Sequence, residues 1–338
     1  MKKEFYLIRK TSERNNRKQE SGAVLIIVTI AMFAFMGILA MTLDIGSAYL
    51  STGQLQKAVD AAVYSAGRML PVRQEDTTTI NAVKDSAINY ARQNGYSSLT
   101  RNDVVLGSII QGSYTDIKVS ASKNVQMNFA RVLGVNSIKI SRRAKAKLSP
   151  ILKMTGVAPL GVLQSVLDAD IAANNVTHIV LKYGSGSSSQ GFFGAFDLDG
   201  NGGGASDYRR WLAQGFPGET SIGDILLEEH GNMVGPTYDG FEARYGACTH
   251  FDALSGGKGC TSSHFDPTCP RIIKIVVYKL DFFGDARIVG FAAFLLEAQD
   301  RRGYITGSFI RTLTAGQGSG GNAGTSSDYG VYNLMLSE

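Results

Sequence analysis

Three cysteines and two histidines lie close together in the C-terminal part of the chain. Cys248, Cys260 and Cys269 fall within 22 residues that also contain His250 and His264. Zinc needs four converging nitrogen or sulfur ligands, and a Cys-x-His pair with a Cys-x3-His pair would supply them. In an oxidising compartment a disulfide between two of these cysteines competes with the metal, because it closes a loop that can bury little. We favour the disulfide, and the sequence does not choose among its three pairings.

A second cluster resembles the start of a calcium-binding loop. Asp197, Asp199 and Asn201 stand at alternate positions before Gly202, so their side-chain oxygens could turn toward a hard cation while the glycine makes the bend. The twelfth position should carry a carboxylate, but it is Tyr208. A polar, glycine-rich turn is therefore the favoured interpretation, and no cofactor is predicted, with calcium and zinc as the two alternatives.

A hydrolase could be drawn from Glu228, Glu229 and His230 with Ser221 or Ser255. The sequence contains no G-x-S-x-G, H-E-x-x-H or P-loop motif, and its glycine runs lack the strand-turn-helix context of a Rossmann phosphate site. We therefore interpret the charged residues as a solvated cluster, predict no catalytic residue, and expect that the protein is not an enzyme.

The element that must position everything else is an N-terminal anchor. Residues 23–43 read AVLIIVTIAMFAFMGILAMTL and carry no charge. As a helix, 21 residues would extend ~30 Å, the thickness of the hydrocarbon core of a bilayer. The alternatives are a core helix of a soluble protein and a cleaved secretory signal, but a signal's apolar region is usually shorter. We predict a retained transmembrane helix.

The basic charge of the chain is concentrated before this segment. The net charge is +5, and seven basic against three acidic side chains before residue 23 account for +4 of it. Lysine and arginine are retained on the cytoplasmic side of membranes. Residues 1–22 are therefore predicted to be a cytoplasmic tail of a single-pass protein of the cytoplasmic (inner) membrane, with the bulk of the chain extracytoplasmic. A basic stripe with interleaved aromatics is missing further along, so nucleic acid is not an expected partner.

Residues 44–149 are predicted to form an α+β module. The helix should continue from the membrane to about Met69, before Pro71. Its stripe of small residues (Ala58, Ala61, Ala62 and Ala66) should pack on its own domain or laterally on partner helices in the membrane. A second helix over 77–94 and strands over 104–110, 115–121, 124–127 and 137–148 follow from the apolar periodicity.

Residues 150–338 are predicted to form a β-rich extracytoplasmic domain with glycine-rich loops. Compositional loops are expected at 184–189 and 200–206. The strand predictions are 178–183, 192–198, 271–280, 287–296 and 303–313, and residues 281–285 should join two of them as an antiparallel pair. The low-complexity tail should end in an edge strand. The fold class is thus α+β, with one transmembrane helix continuing into the first module.

The first module resembles the TadG-like proteins of Tad (Flp) pilus systems. The resemblance is carried by the apolar anchor, Asp44-Ile45-Gly46, the segment LQKAVDAA over 55–62, and Ala66-Gly67. Downstream, 125–147 with Asn128-Phe129-Ala130-Arg131 looks like the end of the family's small module. Two features depart from related proteins: Ile27 stands where a prepilin-processing site has glutamate, and a von Willebrand A metal motif is missing from the sequence.

The resemblance implies a membrane-anchored accessory or minor pilin-like protein that acts through protein–protein contacts outside the membrane. Its expected partners are the lipid bilayer and pilus-assembly or pilin-like proteins. The alternative is an envelope binding module that uses the calcium loop or the Cys/His loop to hold a ligand or surface.

Overall fold

The computed structural model describes residues 2–182, 194–202, 204–229, 233–252, 257–262, 264–300, 302–319 and 328–337. Within these ranges the α-helices are α1 (Lys2–Gly67), α2 (Thr77–Gln93), α3 (Gln164–Ala172), α4 (Gly204–Gln214) and α5 (Val234–Ala247). The first helix continues unbroken from the apolar segment to Gly67, before Pro71, as predicted, and it also extends over the N-terminal tail, which was not predicted to be helical. Short 3-10 turns occupy Arg101–Asp103 and Ala130–Leu133.

The strands mix with these helices throughout the chain, which confirms the predicted α+β class. They are β1 (Val72–Arg73), β2 (Val104–Leu106), β3 (Ile109–Ile110), β4 (Ser113–Tyr114), β5 (Asp116–Gln126), β6 (Ser137–Met154), β7 (Gly161–Leu163), β8 (Ile179–Lys182), β9 (Phe196–Asp197), β10 (Thr220–Ser221), β11 (Ile225–Glu228), β12 (Phe251–Asp252), β13 (Gly257–Lys258), β14 (Ile272–Leu280), β15 (Ala286–Gln299), β16 (Ile305–Ile310), β17 (Thr312–Leu313), β18 (Gln317–Gly318) and β19 (Val331–Ser337).

Two larger sheets organise these strands. One has the order β17-β19-β6-β5-β2, with β10 and β18 also paired to β6. The other has the order β7-β14-β15-β11-β9, with β16 paired to β15 and β8 paired to β16. Strands β1, β4 and β3 form a small sheet, and β12 pairs with β13 in a two-stranded ribbon.

The chain divides into two compact units. The first comprises Met1–Ala61, Tyr90–Leu99 and Ser120–Arg143. Its buried apolar side chains come from one face of α1, from the end of α2 and the segment after it, and from β5 and the residue after it. They are Leu55, Ala58, Val59, Ala91, Leu99, Ala121, Val125 and Met127. The Tyr96 hydroxyl donates a hydrogen bond to the Ser122 carbonyl at 3.0 Å and ties the segment after α2 to β5.

The second unit comprises Ala62–Asn89, Thr100–Val119 and Ala144–Glu338. The last turns of α1 enter it, and the Ser65 and Ser86 hydroxyls lie 2.6 Å apart between α1 and α2. A Cβ on Gly67 would stand 3.0 Å from both the Ala146 Cβ and the Leu334 Cδ1, so the helix end approaches the sheet closely.

The β14–β15 pair forms the centre of the second unit. It is antiparallel, with Ile272 opposite Leu295 and Leu280 opposite Ala286, which confirms the predicted pairing. Ile273, Ile275 and Val277 pack on one face with side chains of α3, α4 and α5. Ile272, Val276 and Tyr278 pack on the other face with Ile151 and Met154 of β6. Both faces are covered, and this explains why the two strands read as nearly continuous apolar runs.

Several sequence predictions differ from the structure. The last strand is not at an edge, because β19 lies between β17 and β6. The predicted loop at 200–206 is wrong from Gly204 onward, where α4 begins, and α3 and α5 were not predicted at all. The loop predicted at 184–189 lies outside the described residues, as does the start of the strand predicted at 192–198. The proposed division at 149/150 falls inside β6, and the two-domain division stays a prediction.

Candidate functional site

The apolar part of α1 presents its side chains outward. Phe33 is 72% exposed and Phe35 is 67% exposed, and the neighbouring leucines and isoleucines are similar. Among the helices in the described ranges, α1 is the one long and apolar enough to cross a membrane. A continuous exposed apolar surface of this size is unfavourable in water, so it suggests a single-pass membrane anchor.

Asp44 is the first charged residue after the apolar segment, and it is tied to a distant loop. Its carboxylate accepts backbone N–H groups from Asn128 at 2.8 Å, Phe129 at 3.0 Å and Ala130 at 2.7 Å. Only 4% of the residue is exposed. These amides precede and open the 3-10 turn Ala130–Leu133. The Asp-x-Gly segment and the Asn-Phe-Ala-Arg segment, separate in the sequence, therefore meet in the first unit.

The chemistry of this contact requires a carboxylate. The first amides of a helical turn have no internal partner, and a negative charge is favourable beside them. The hydrogen bond from Ala130 is the largest cause that lowers the pKa of Asp44, and those from Asn128 and Phe129 act in the same direction against the effect of burial. Asp44 is thus ionised at neutral pH and holds the loop to the helix just beyond residues 23–43.

The small-residue stripe of α1 lies mostly inside the protein. Ala58, Ala62 and Ala66 are fully buried, whereas Ala61 is only half-buried. Close approach of the helix to its own chain is therefore the use of this stripe that the structure displays. The side chains that α1 leaves exposed beyond the apolar segment are larger ones, such as Tyr49 and Leu50.

The Cys/His cluster is brought together in the second unit. One ligand atom from each of Cys248, His250, Cys260 and Cys269 lies within 4.8 Å of all the others. The Cys269 thiol donates to the Cys248 sulfur at 3.5 Å, and the Cys248 sulfur is 3.8 Å from His250 Nδ1. All three cysteines are buried. His264, the fifth candidate ligand, is exposed and outside the group.

Three local structures position these four side chains. Cys248 directly follows the end of α5. The β12–β13 ribbon sets His250 beside Cys260, with the Gly259 amide donating to the His250 carbonyl at 2.9 Å. Cys269 closes a turn in which its amide donates to the Asp266 carbonyl at 2.9 Å, just before β14 begins.

Burial and hydrogen bonds act on the pKa values of two thiols in the cluster. Burial acts to raise the pKa of Cys248, but hydrogen bonds with His250 and Cys269 outweigh it and lower that pKa to about 7. Burial raises the pKa of Cys269 to about 12, and the adjacent sulfurs act in the same direction. A second thiolate beside the first is therefore unfavourable unless a cation is close.

Two residues around the cluster were missed by the sequence analysis. Asp266 Oδ2 lies 3.5 Å from His250 Nε2. The buried Arg271 guanidinium donates to the Cys260 carbonyl at 3.1 Å and to the Leu296 carbonyl, and it stacks over the Tyr245 ring at 4.9 Å. Neither stands in a ligand spacing, so their nearness to the cysteines in sequence was the only signal.

The calcium-like loop uses its side chains internally. The Asp197 carboxylate accepts the amides of Asp199, Gly200 and Gly202 at 3.2, 3.1 and 2.8 Å. Asp199 accepts the amide of Asn201 at 3.0 Å, the largest cause that lowers the pKa of Asp199. Tyr208, at the twelfth position, is fully buried and bonded to Thr237. These contacts are those of a polar turn, and the calcium site stays a prediction.

Two of the residues considered for a hydrolase, Ser221 and Glu228, lie in strands of different sheets. Ser221 belongs to β10 and donates its amide to Asp224 at 2.8 Å, whereas Glu228 ends β11. His230 and Ser255 lie outside the described residues.

Comparisons with known proteins give one match. No curated protein matches the chain, and no solved structure does. The matching family is a pilus-assembly component rather than an enzyme class, and the match covers the apolar part of α1, Asp44 and the buried alanine stripe. Residues 22–69 match the family described as Putative Flp pilus-assembly TadE/G-like, and this segment supports a relation of the chain to pilus assembly.

Proposed function

We propose that this protein is a membrane-anchored accessory or minor pilin-like component of a Tad/Flp-type pilus-assembly system. It acts by protein–protein contacts outside the cytoplasmic membrane. The observation that carries the proposal is that the family match over residues 22–69 coincides with a helix whose apolar side chains face outward.

The basic tail supports the orientation. Lysine and arginine before residue 23 would hold the N-terminus in the cytoplasm, so that the residues of both compact units that follow residue 43 would lie outside. Protease added to spheroplasts should then digest the region beyond residue 43 and leave a tag at the N-terminus intact. Protection of the C-terminal region would overturn this orientation.

The surface available for partner contacts begins just beyond the anchor. Tyr49 is 78% exposed and Leu50 is 67% exposed on α1, whereas Val59, two to three turns further along, is 1% exposed. Large apolar side chains on an accessible helix face are typical of protein–protein contacts. We propose that this face packs against pilin-like helices.

Photo-crosslinking in the native host tests the proposal. A photoreactive amino acid at Tyr49 or Leu50 should form adducts with pilins or assembly proteins, identified by mass spectrometry, while the same group at Val59 should not. Deletion of the gene should reduce surface pili, and the full chain should restore them. Unchanged pilus numbers after deletion, or adducts only with unrelated proteins, would contradict the proposed role.

The amount of the protein in sheared, washed pili separates the two forms of the proposal. A minor pilin-like component enters the filament and appears there in small, constant proportion. An accessory component stays in the membrane fraction.

A further inference from the structure

We propose that Cys248, His250, Cys260 and Cys269 bind one Zn²⁺ ion. This site goes beyond the proposed role in pilus assembly and replaces the disulfide that the sequence favoured. The mutual approach of four soft ligand atoms within 4.8 Å is the starting observation. A disulfide would join only two of the three sulfurs. It would not explain why the third sulfur and the imidazole nitrogen lie beside them.

Two of the distances between the ligand atoms are close to those around a tetrahedral ion, and the others are within 4.8 Å. With Zn–S bonds of ~2.3 Å and Zn–N bonds of ~2.0 Å, two sulfurs lie roughly 3.8 Å apart and a sulfur and a nitrogen roughly 3.5 Å apart. The Cys248–Cys269 sulfur distance is 3.5 Å and the distance from Cys248 to His250 Nδ1 is 3.8 Å. Sulfurs joined in a disulfide would be at ~2.05 Å.

The second nitrogen of His250 has the partner that a ligand histidine needs. Nε2 faces the Asp266 carboxylate at 3.5 Å while Nδ1 faces the sulfurs. A proton held on Nε2 by this carboxylate leaves the Nδ1 lone pair free for the metal, which is the usual arrangement around zinc-bound imidazole. The Asp266 carboxylate is itself fixed by the Thr268 amide at 2.7 Å.

A buried cation lies close to the negative charge that the zinc-bound site would carry. Three thiolates and one neutral imidazole around Zn²⁺ leave one net negative charge in an apolar cluster. The Arg271 guanidinium, which is 5% exposed, lies beside it through its bond to the Cys260 carbonyl. Four protein ligands would fill the coordination sphere, so the site is structural and ties the end of α5 to the start of β14.

Metal content tests the site directly. Full-length protein purified in detergent without metal-affinity chromatography should contain one zinc per chain by elemental mass spectrometry. Cys269→Ser and His250→Ala should lose it. His264→Ala is the matched control, because this histidine lies in the same loop but outside the cluster, and it should retain one zinc.

A second measurement on the unmodified protein guards against variants that do not fold. Exchange of the metal for Co²⁺ should give intense thiolate-to-cobalt charge-transfer bands together with visible bands of tetrahedral geometry. Zinc-free protein whose intact mass is two hydrogens lighter under non-reducing conditions would establish the disulfide and overturn the zinc site. Loss of zinc in His264→Ala with retention in His250→Ala would also overturn the assignment of ligands.

A separate observation supports a second inference, which rests on the membrane anchoring proposed above. We infer that the loop over residues 129–138 inserts into the outer surface of the bilayer. Four of its apolar side chains point to solvent: Phe129 at 46%, Val132 at 88%, Val135 at 45% and Ile138 at 37% exposure. Asp44, the first residue beyond the apolar segment, accepts hydrogen bonds from the Phe129 and Ala130 amides of this loop. This contact holds the loop at the level of the bilayer surface.

The charges next to these side chains fit the same surface. Arg131, Lys139, Arg142 and Arg143 are exposed on the loop and on the start of β6. Apolar side chains with adjacent cations are typical of segments that lie in the interface between headgroups and acyl chains. The occupant of this surface is therefore lipid.

Quenching of tryptophan fluorescence by brominated lipids tests the loop. In the Trp211→Phe background, Val132→Trp in reconstituted full-length protein should be quenched, and Ser120→Trp should not, because six residues of strand separate Ser120 from Gln126 by ~20 Å. Phe33→Trp reports the anchor itself. Quenching at position 33 without quenching at 132 overturns the loop proposal alone, and no quenching at 33 overturns the anchoring.

Discussion

At the scale of single residues, Asp44 shows how one carboxylate connects two parts of the chain. It stands 84 residues before the first amide that it accepts. An alanine there leaves three backbone N–H groups without their acceptor in a nearly buried place, and such groups are costly to leave unsatisfied.

Asp44→Ala should therefore release the loop that begins at Asn128. We expect faster hydrogen exchange of the Asn128, Phe129 and Ala130 amides, measured by mass spectrometry on protein in detergent. Asp60→Ala is the control, because Asp60 accepts from Gln56 within α1 and makes a local contact. Equal exchange in Asp44→Ala and the unmodified protein would contradict this role.

The same contact should depend on pH in one direction. The pKa of Asp44 is lowered from the ordinary value of 3.8 by the amide hydrogen bonds. Its stabilising contribution is thus complete above 3.8 and is lost as the pH falls through the lower folded pKa. Protection of the three amides should be constant from pH 7 to about 5 and fall in acid, relative to amides of α2 in the same sample.

At the scale of elements, α5 illustrates how packing overrides propensity. This helix contains Gly235, Gly240 and Gly246 and has Pro236 in its first turn, where the missing N–H is tolerated. A Cβ on Gly240 would lie 2.8 Å from the Leu212 Cβ of α4. The two helices approach closely because position 240 has no side chain, and the buried Tyr208–Thr237 hydrogen bond spans the same interface.

Gly240→Ala should destabilise the protein by about 1–3 kcal/mol, because the extra methyl forces α4 and α5 apart. Gly246→Ala is the control in the same helix, since nothing lies within 4 Å of the new Cβ, and its effect should stay within about 1 kcal/mol. Denaturant midpoints of the two variants check the difference. A Gly240→Ala midpoint equal to that of Gly246→Ala would show that the α4–α5 interface accommodates the added methyl group without loss of stability.

The β14–β15 hairpin offers a similar contrast between its strand and its turn. Phe294 is fully buried in β15, whereas Phe282 in the turn is 97% exposed. Phe294→Ala should cost about 3–5 kcal/mol through lost burial and the cavity left behind. Phe282→Ala should leave the unfolding midpoint nearly unchanged, and a comparable loss in both variants would contradict this description of the hairpin.

At the scale of the whole molecule, the C-terminus completes a sheet of the second unit. Strand β19 pairs with β6 from Tyr332 opposite Pro150 to Ser337 opposite Lys145, and with β17 on its other side. Tyr332 is fully buried there. Truncation before Val331 should expose two strand edges and the apolar face beneath them.

The truncated protein should therefore be cleaved much faster by protease than the full-length protein, and should accumulate poorly in membranes. The fragments should map to β6 and β17. Equal protease resistance of both forms would mean that the sheet does not need β19.

Much of the fold was accessible from the sequence because the signals are local. The predicted anchor is a continuous uncharged run, α2 has apolar residues at helical spacing, and the β14–β15 pair consists of two apolar runs joined by a short turn that begins and ends with an aspartate. The family resemblance over the anchor and the following helix was confirmed by the match to residues 22–69. By contrast, α5 contains three glycines and a proline, and α4 begins inside a glycine-rich run, so composition favoured loops at both helices.

The sequence by itself determined that this chain carries a membrane-length apolar helix, a TadE/G-like segment and an α+β body, because each depends on neighbours in the chain. Only the tertiary structure decided that Asp44 bonds to Asn128, Phe129 and Ala130, that His250 and not His264 joins the three cysteines, and that β19 lies inside a sheet. The physical reason is that hydrogen bonds and ligand spheres form between groups distant in sequence, where residue type shows which groups can pair but not which ones meet.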